Sequence, residues 1–161
     1  MSFGQLGAVI VNSNGTTGDG SLEINIPGKM QNVIFMSCRL SGFVKIAEGL
    51  DEQTNTFLNQ MLNIIHKCTA RWDGSANKND GDVYLITWLL PSTEQTSDNE
   101  SEAKLLEQRT DFADKSLIAA VKIVSEMRRA TYLKDYFRKK RLLQAFGDDA
   151  AAQPYITIGI H

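Results

Sequence analysis

The sequence lacks the marks of several protein classes. It has no apolar run of about 18 residues, the length that spans a bilayer, and no charged-then-apolar leader of the secretory kind. The expectation is an intracellular soluble domain, although a membrane segment elsewhere in a longer parent would leave no trace here. Neither charge sign dominates. Nineteen acidic residues against 17 basic ones give a net charge of −2, which offers no global attraction to nucleic acid or a membrane surface. Cysteine is sparse: Cys38 and Cys68 are the only two, both lie in apolar segments, and neither has metal-ligand spacing. They read as buried free thiols in a reducing compartment. The glycine-rich stretch "NSNGTTGDGS" at 12–21 is followed by no Gly-Lys-Ser/Thr, so it reads as a flexible linker and not as a phosphate loop.

The 161 residues, 42% hydrophobic and 22% charged, are enough for one domain with a core that needs no disulfide or metal staple. Residues 1–27 read as an N-terminal arm and linker, with "GAVIV" at 7–11 too short to assign by periodicity. Residues 28–161 form the domain proper. "NVIFMSC", 32–38, is almost continuously apolar and β-prone, as in a central strand buried on both sides. A helix follows, with Phe57, Met61, Ile64, Ile65 and Cys68 on one stripe, Asn59, Gln60, Asn63 and Lys67 opposite, and His66 at the edge of the core. "ARWDGSANKN" and "DVYLITW" read as two strands joined at Asp80-Gly81, a strong hairpin signal.

The next stretch, 91–104, carries Glu94, Asp98, Glu100 and Glu102 and reads as an acidic surface loop. An amphipathic helix follows from about 111, its face set by Leu117, Ala120, Val121, Val124 and Met127. The chain continues helically with Tyr132, Leu133, Tyr136, Phe137 and Leu143 as packing residues. Residues 128–141 hold seven basic side chains and one acid, read as a solvated helix face or partner surface, with polyanion binding the alternative. "PYITIGIH", 154–161, is a buried-type strand, and a chain that stops within or just beyond such a strand reads as truncated. The order strand, helix, hairpin, helix, strand predicts an α+β sandwich of ferredoxin-like type, with an antiparallel-rich sheet and helices on one face.

Three segments together resemble the class III nucleotidyl cyclase catalytic domain, above all the adenylyl cyclases of protists and algae. "VIFMSCRLSGF" is similar to that family's first strand and turn, and "YITIGIH" to its strand before a His-x-Gly turn. The most specific match is "GSANKNDGDVYLITW", which resembles the family's Gly-x-Ala-Asn-Lys-Asn-x-Gly-Asp hairpin. The resemblance covers about 28–161 and implies a class III cyclase-like fold. It also implies a chemistry in which two Mg²⁺ or Mn²⁺ ions, held by two aspartates, assist attack of a ribose 3′-hydroxyl on the α-phosphate of ATP. The family's site is shared across a dimer, so the implied partner is a second cyclase-type domain, identical or not. A cytoplasmic-face location follows from the same resemblance, with a parent protein that is membrane-attached or ciliary.

By this resemblance Lys78 falls at the base-reading lysine and Asp82 at the second metal aspartate. Leu40 falls where a backbone carbonyl completes the metal site, and Ser41, Gly42 and Phe43 form the turn whose N–H groups face the phosphates. Two departures stand out. Asp80 lies where the family has an apolar residue, and Arg39 stands at the first metal aspartate. A guanidinium is cationic at any physiological pH and has no lone pair to offer, so it repels a metal ion. The family's downstream asparagine and arginine have no counterpart before His161. The expected role is a cyclase-homology domain, inactive alone, whose Arg39 pairs with Asp82 and which serves as dimer partner, regulator or scaffold. A fragment of a working adenylyl cyclase and an unrelated ferredoxin-like module are the alternatives.

Overall fold

A computed structural model describes residues 30–91, 99–146 and 156–161. The arm and linker at 1–27 and half of the acidic stretch, 92–98, lie outside the described residues. The first strand, β1 (Val33–Leu40), leads through a two-residue turn into α1 (Phe43–Leu50), a short 3-10 turn and α2 (Thr54–Arg71). The hairpin β2 (Ser75–Asp80) and β3 (Val83–Leu89) follows. Next come α3 (Asn99–Arg129), α4 (Thr131–Phe137), α5 (Lys140–Phe146) and the last strand, β4 (Ile156–Ile160). The sheet order is β2-β3-β1-β4 and every neighbouring pair is antiparallel. This is the expected α+β, ferredoxin-like arrangement, with β1 central and the helices on one face.

The core is built by alternation. Met36, Cys38 and Leu40 of β1 and Tyr84, Ile86 and Trp88 of β3 point to the helix side and are buried. They meet Ile46 and Leu50 of α1, Phe57, Met61 and Ile65 of α2, and Ala119, Ile123 and Met127 of α3. β1 is therefore central but not buried on both faces as its apolar run suggests. Phe35 remains 39% exposed and Arg39 is exposed. β4, read as a buried strand, pairs with β1 alone and is an edge among the described residues. Its isoleucines face the helix side and Thr157 and Gly159 the other.

Several boundaries shift for physical reasons. α2 runs on through Ala70 and Arg71, which the sequence reading placed in a strand. The i, i+4 row Ile64, Cys68, Trp72 keeps the helix amphipathic to its end. The helix stops where the Trp72 and Gly74 N–H groups both donate to Thr69 C=O and Asp73 takes a φ of 60°. Gly74 has no room for a side chain, because an added Cβ would lie 2.6 Å from Trp88 and from Thr69. His66 is exposed, not at the core edge, and Cys68 is only half-buried. α3 begins at Asn99, so the helix claims the last part of the stretch read as an acidic loop.

The inward face of α3 overlaps the expected one only in part, in Ala120 and Met127. Ser116, Ala119, Ala120, Ile123 and Met127 are buried, whereas Leu117 and Val121 are 58% and 61% exposed. The buried side of α3 carries mostly small side chains and packs chiefly against α2. The bulkier Leu117–Val121–Val124 row lies along an open groove of about 590 Å³ beside Ile158 and Ile160 of β4. α4 and α5 are separate short helices, divided from α3 at Ala130, which adopts φ −69°, ψ 87°. An aromatic ladder anchors them: Phe57 meets Tyr136 and Phe137 edge-on, at 5.4 and 5.9 Å between centroids. In α5, Leu143, expected to pack, is exposed, and Leu142 is buried in its place. No helix among the described residues is long and apolar enough to cross a membrane.

Candidate functional site

Alternation that buries Met36, Cys38 and Leu40 turns Phe35, Ser37 and Arg39 to the other face of the sheet. Register then sets Arg39 between Val83 of β3 and Thr157 of β4. The hairpin loop is Gly81–Asp82, with Gly81 alone at positive φ, 58°, in keeping with a loop that places glycine first. That tight turn brings Asp82 against the end of β1. The Leu40 N–H donates to Asp82 C=O at 2.9 Å, and Arg39 Nε lies 3.2 Å from Asp82 Oδ2. The Arg39 and Asp82 side chains are 63% and 31% exposed, so the pair is worth no more than about 1 kcal/mol. Its significance is positional, because the cation occupies the carboxylate that the resemblance assigns to metal.

Lys78 reaches the same face by a local irregularity. Ser75 pairs with Thr87 and Ala76 with Ile86, but Lys78 pairs with Leu85, so Asn77 is an extra residue in the ladder. Such a bulge flips the alternation beyond it. It puts Lys78 and Asp80 on the Arg39 side, opposite the helices, and their side chains pair at 3.4 Å. The sheet thus brings Arg39, Asp82, Lys78 and Asp80 onto one open face, although Lys78 contacts Asp80 and not Asp82.

The turn residues gather at the end of β1. Gly42 adopts φ 74° before the first residue of α1, Phe43, and its C=O accepts from the Ile46 N–H at 3.0 Å. No side chain caps α1. Ser41 Oγ lies 3.4 Å from Thr157 Oγ1, tying the turn to β4. Sequence reasoning missed Thr157. The signal was the alternation of Ile156, Ile158 and Ile160 with Thr157 and Gly159. It also missed Phe146, whose ring would lie 3.0 Å from a Cβ at Gly42 and which sits under the Lys45 amine.

The donor set does not fit a two-metal centre. Asp82 is paired to a cation, Asp80 is paired to Lys78, and no three His, Cys, Asp or Glu side chains gather among the described residues. The buried thiol beside the site is no nucleophile either, since desolvation pushes Cys38 up to about 12 from the ordinary 9.0. Burial raises Tyr84 as well, and the Asp82 charge adds to that effect. The arrangement offers an exposed lysine, a closed acid–base pair and a glycine turn.

No protein-family model and no curated protein matches the sequence. Solved structures do match in shape. Two structures of a bacterial light-regulated adenylyl cyclase align with TM-scores of 0.60 and 0.56, at 13% and 15% identity. The alignments cover 98% and 88% of this chain but only 36% and 33% of theirs. The chain therefore has a cyclase-like fold and spans about a third of the length of those structures.

Proposed function

We propose that the chain is a cyclase-homology domain whose own half-site is closed to metal and which acts as the partner of another cyclase-type domain. The observation that carries this reading is the Arg39–Asp82 pair at 3.2 Å. A divalent ion at Asp82 would have to displace a guanidinium that brings charge of its own sign and no lone pair. The exposed Lys78, brought to the open face by the bulge, remains able to reach a nucleotide base held partly by a second domain. ATP is the nucleotide favoured by the hairpin motif, in keeping with the protist and algal adenylyl cyclases that it resembles. Mg²⁺ or Mn²⁺ in such a pair would be held by the partner.

The test is Mn²⁺ binding to the chain and to Arg39→Asp, measured by calorimetry, with cyclic AMP production read in parallel. The expected result is no saturable Mn²⁺ binding by the unaltered chain and a gain of binding in Arg39→Asp. Saturable Mn²⁺ binding together with cyclic AMP formation by the unaltered chain would sink the proposal. It would favour instead a piece of a working adenylyl cyclase.

A further inference from the structure

A second site lies on the helical side of the molecule, away from the sheet face that carries Arg39 and Lys78. α2 and α3 pack side by side, and their i, i+4 rows leave a groove of about 460 Å³ closed at one end by Tyr132 of α4. That volume lies within the range of small-ligand pockets, roughly 300–1,000 Å³. Lys67 and Arg71 line it from α2 and Lys122 from α3, against the single carboxylate of Glu126. All three cations are exposed, and among the described residues none has an ion-pair partner.

A neighbouring cation shows that this is not the rule here. Lys115, two turns earlier on α3, is held by Asp73 at 2.7 Å and Asp111 at 2.8 Å. Glu126, the groove's one acid, points part of its charge outward to Arg129 at 3.7 Å. Trp72 forms the apolar wall, with its indole N–H buried and without a hydrogen-bond partner. Three like charges around a concave wall repel one another, and an anion entering between them relieves that repulsion.

We propose that this groove binds a phosphate-type anion through Lys67, Arg71 and Lys122, against a wall formed by Trp72 and Tyr132. The site binds and does not react: Cys68, at its floor, has its thiol pushed up by burial and by Glu126, with Lys122 and Arg71 opposing only in part. The inference is independent of the proposed function, because it uses no residue of the open sheet face.

Trp72 is a built-in reporter, since the other tryptophan, Trp88, is fully buried with its N–H donated to Trp72 C=O at 2.7 Å. Tryptophan fluorescence is titrated with inorganic pyrophosphate and, separately, with AMP, which distinguishes a bare phosphate from one carrying a planar base. The expected result is saturation by at least one of them, with a Kd between about 10 μM and 1 mM. The exposed double substitution K67E/K122E weakens it at least about tenfold with the circular dichroism spectrum unchanged. Lys78→Ala leaves it in place. No saturation at about 5 mM by fluorescence and calorimetry overturns the proposal. Binding lost in Lys78→Ala but unmoved in K67E/K122E does so too, as does saturation by an acidic peptide with neither phosphate probe bound.

Discussion

Cys38 and Arg39 are adjacent in the chain, yet they occupy opposite worlds. One side of β1 puts Met36, Cys38 and Leu40 into a closed core, and the other puts Phe35, Ser37 and Arg39 on a face open to solvent or a partner. The first face makes the fold, through apolar area removed from water. The second carries the candidate chemistry, through charges whose pairing adds little to stability. The residues that make the core and those that carry the open-face charges are therefore written on alternate positions of one strand, so one set can change without the other.

The most forceful way to test this contrast is on the closed face. Trp88→Ala is expected to cost about 3–5 kcal/mol, because the side chain is fully buried, while Ser37→Ala stays within about 0.5 kcal/mol. Urea unfolding midpoints measure both, and equal losses would erase the distinction.

A pH titration gives the next effect. The folded Cys38 pKa of about 12 lies above its ordinary 9.0, so the unfolded chain loses the proton first. Stability is full below pH 9 and falls by roughly 1.4 kcal/mol per pH unit between the two values. Burial also raises Tyr84, which adds loss in the same direction above its ordinary 10.0. Cys38→Ala should flatten the first part of that fall, as read from denaturation at stepped pH.

At the junction of the two faces, Gly42→Ala should cost about 1–2 kcal/mol, because φ is 74° and the new Cβ meets Phe146 at 3.0 Å. Thermal melting reports it. On the open face, Arg39→Ala is expected to change stability by less than about 1 kcal/mol by the same melting measurement. A large loss there would mean that the pair, and not the core, holds the hairpin to β1.

The groove beside β4 sharpens the contrast from another side. β2 ends the sheet with Lys78 and Asp80, charged and bulged as protected edges are. β4 ends it with Ile-Thr-Ile-Gly-Ile and no charge, next to exposed Leu117 and Val121.

Some of this was legible in advance. Continuous β-prone runs, the helical stripe from Phe57 to Ile65 and the Asp-Gly turn gave the elements, because each is a local pattern of period two or three and a half. The Arg39–Asp82 pairing was legible too, since opposite charges expected side by side have a reason to meet. The rest depended on neighbours. The inward face of α3 carries the small Ser116, Ala119 and Ala120 and packs on α2, while Leu117 and Val121 of the bulkier stripe stay exposed. Lys78 reached the open face through a single unpaired residue, Asn77, which periodicity cannot reveal because alternation by two places Lys78 with Ala76.

The sequence by itself determined the α+β class, the hairpin and the charged residues that flank it, Arg39 and Asp82 among them, because those rest on residue types and short-range spacing. Tertiary structure alone decided that Arg39 and Asp82 lie 3.2 Å apart, that Lys78 shares their face, and that Lys67, Arg71 and Lys122 line one groove. Register across strands and packing between helices bring together positions far apart in the chain, and no local pattern encodes that distance.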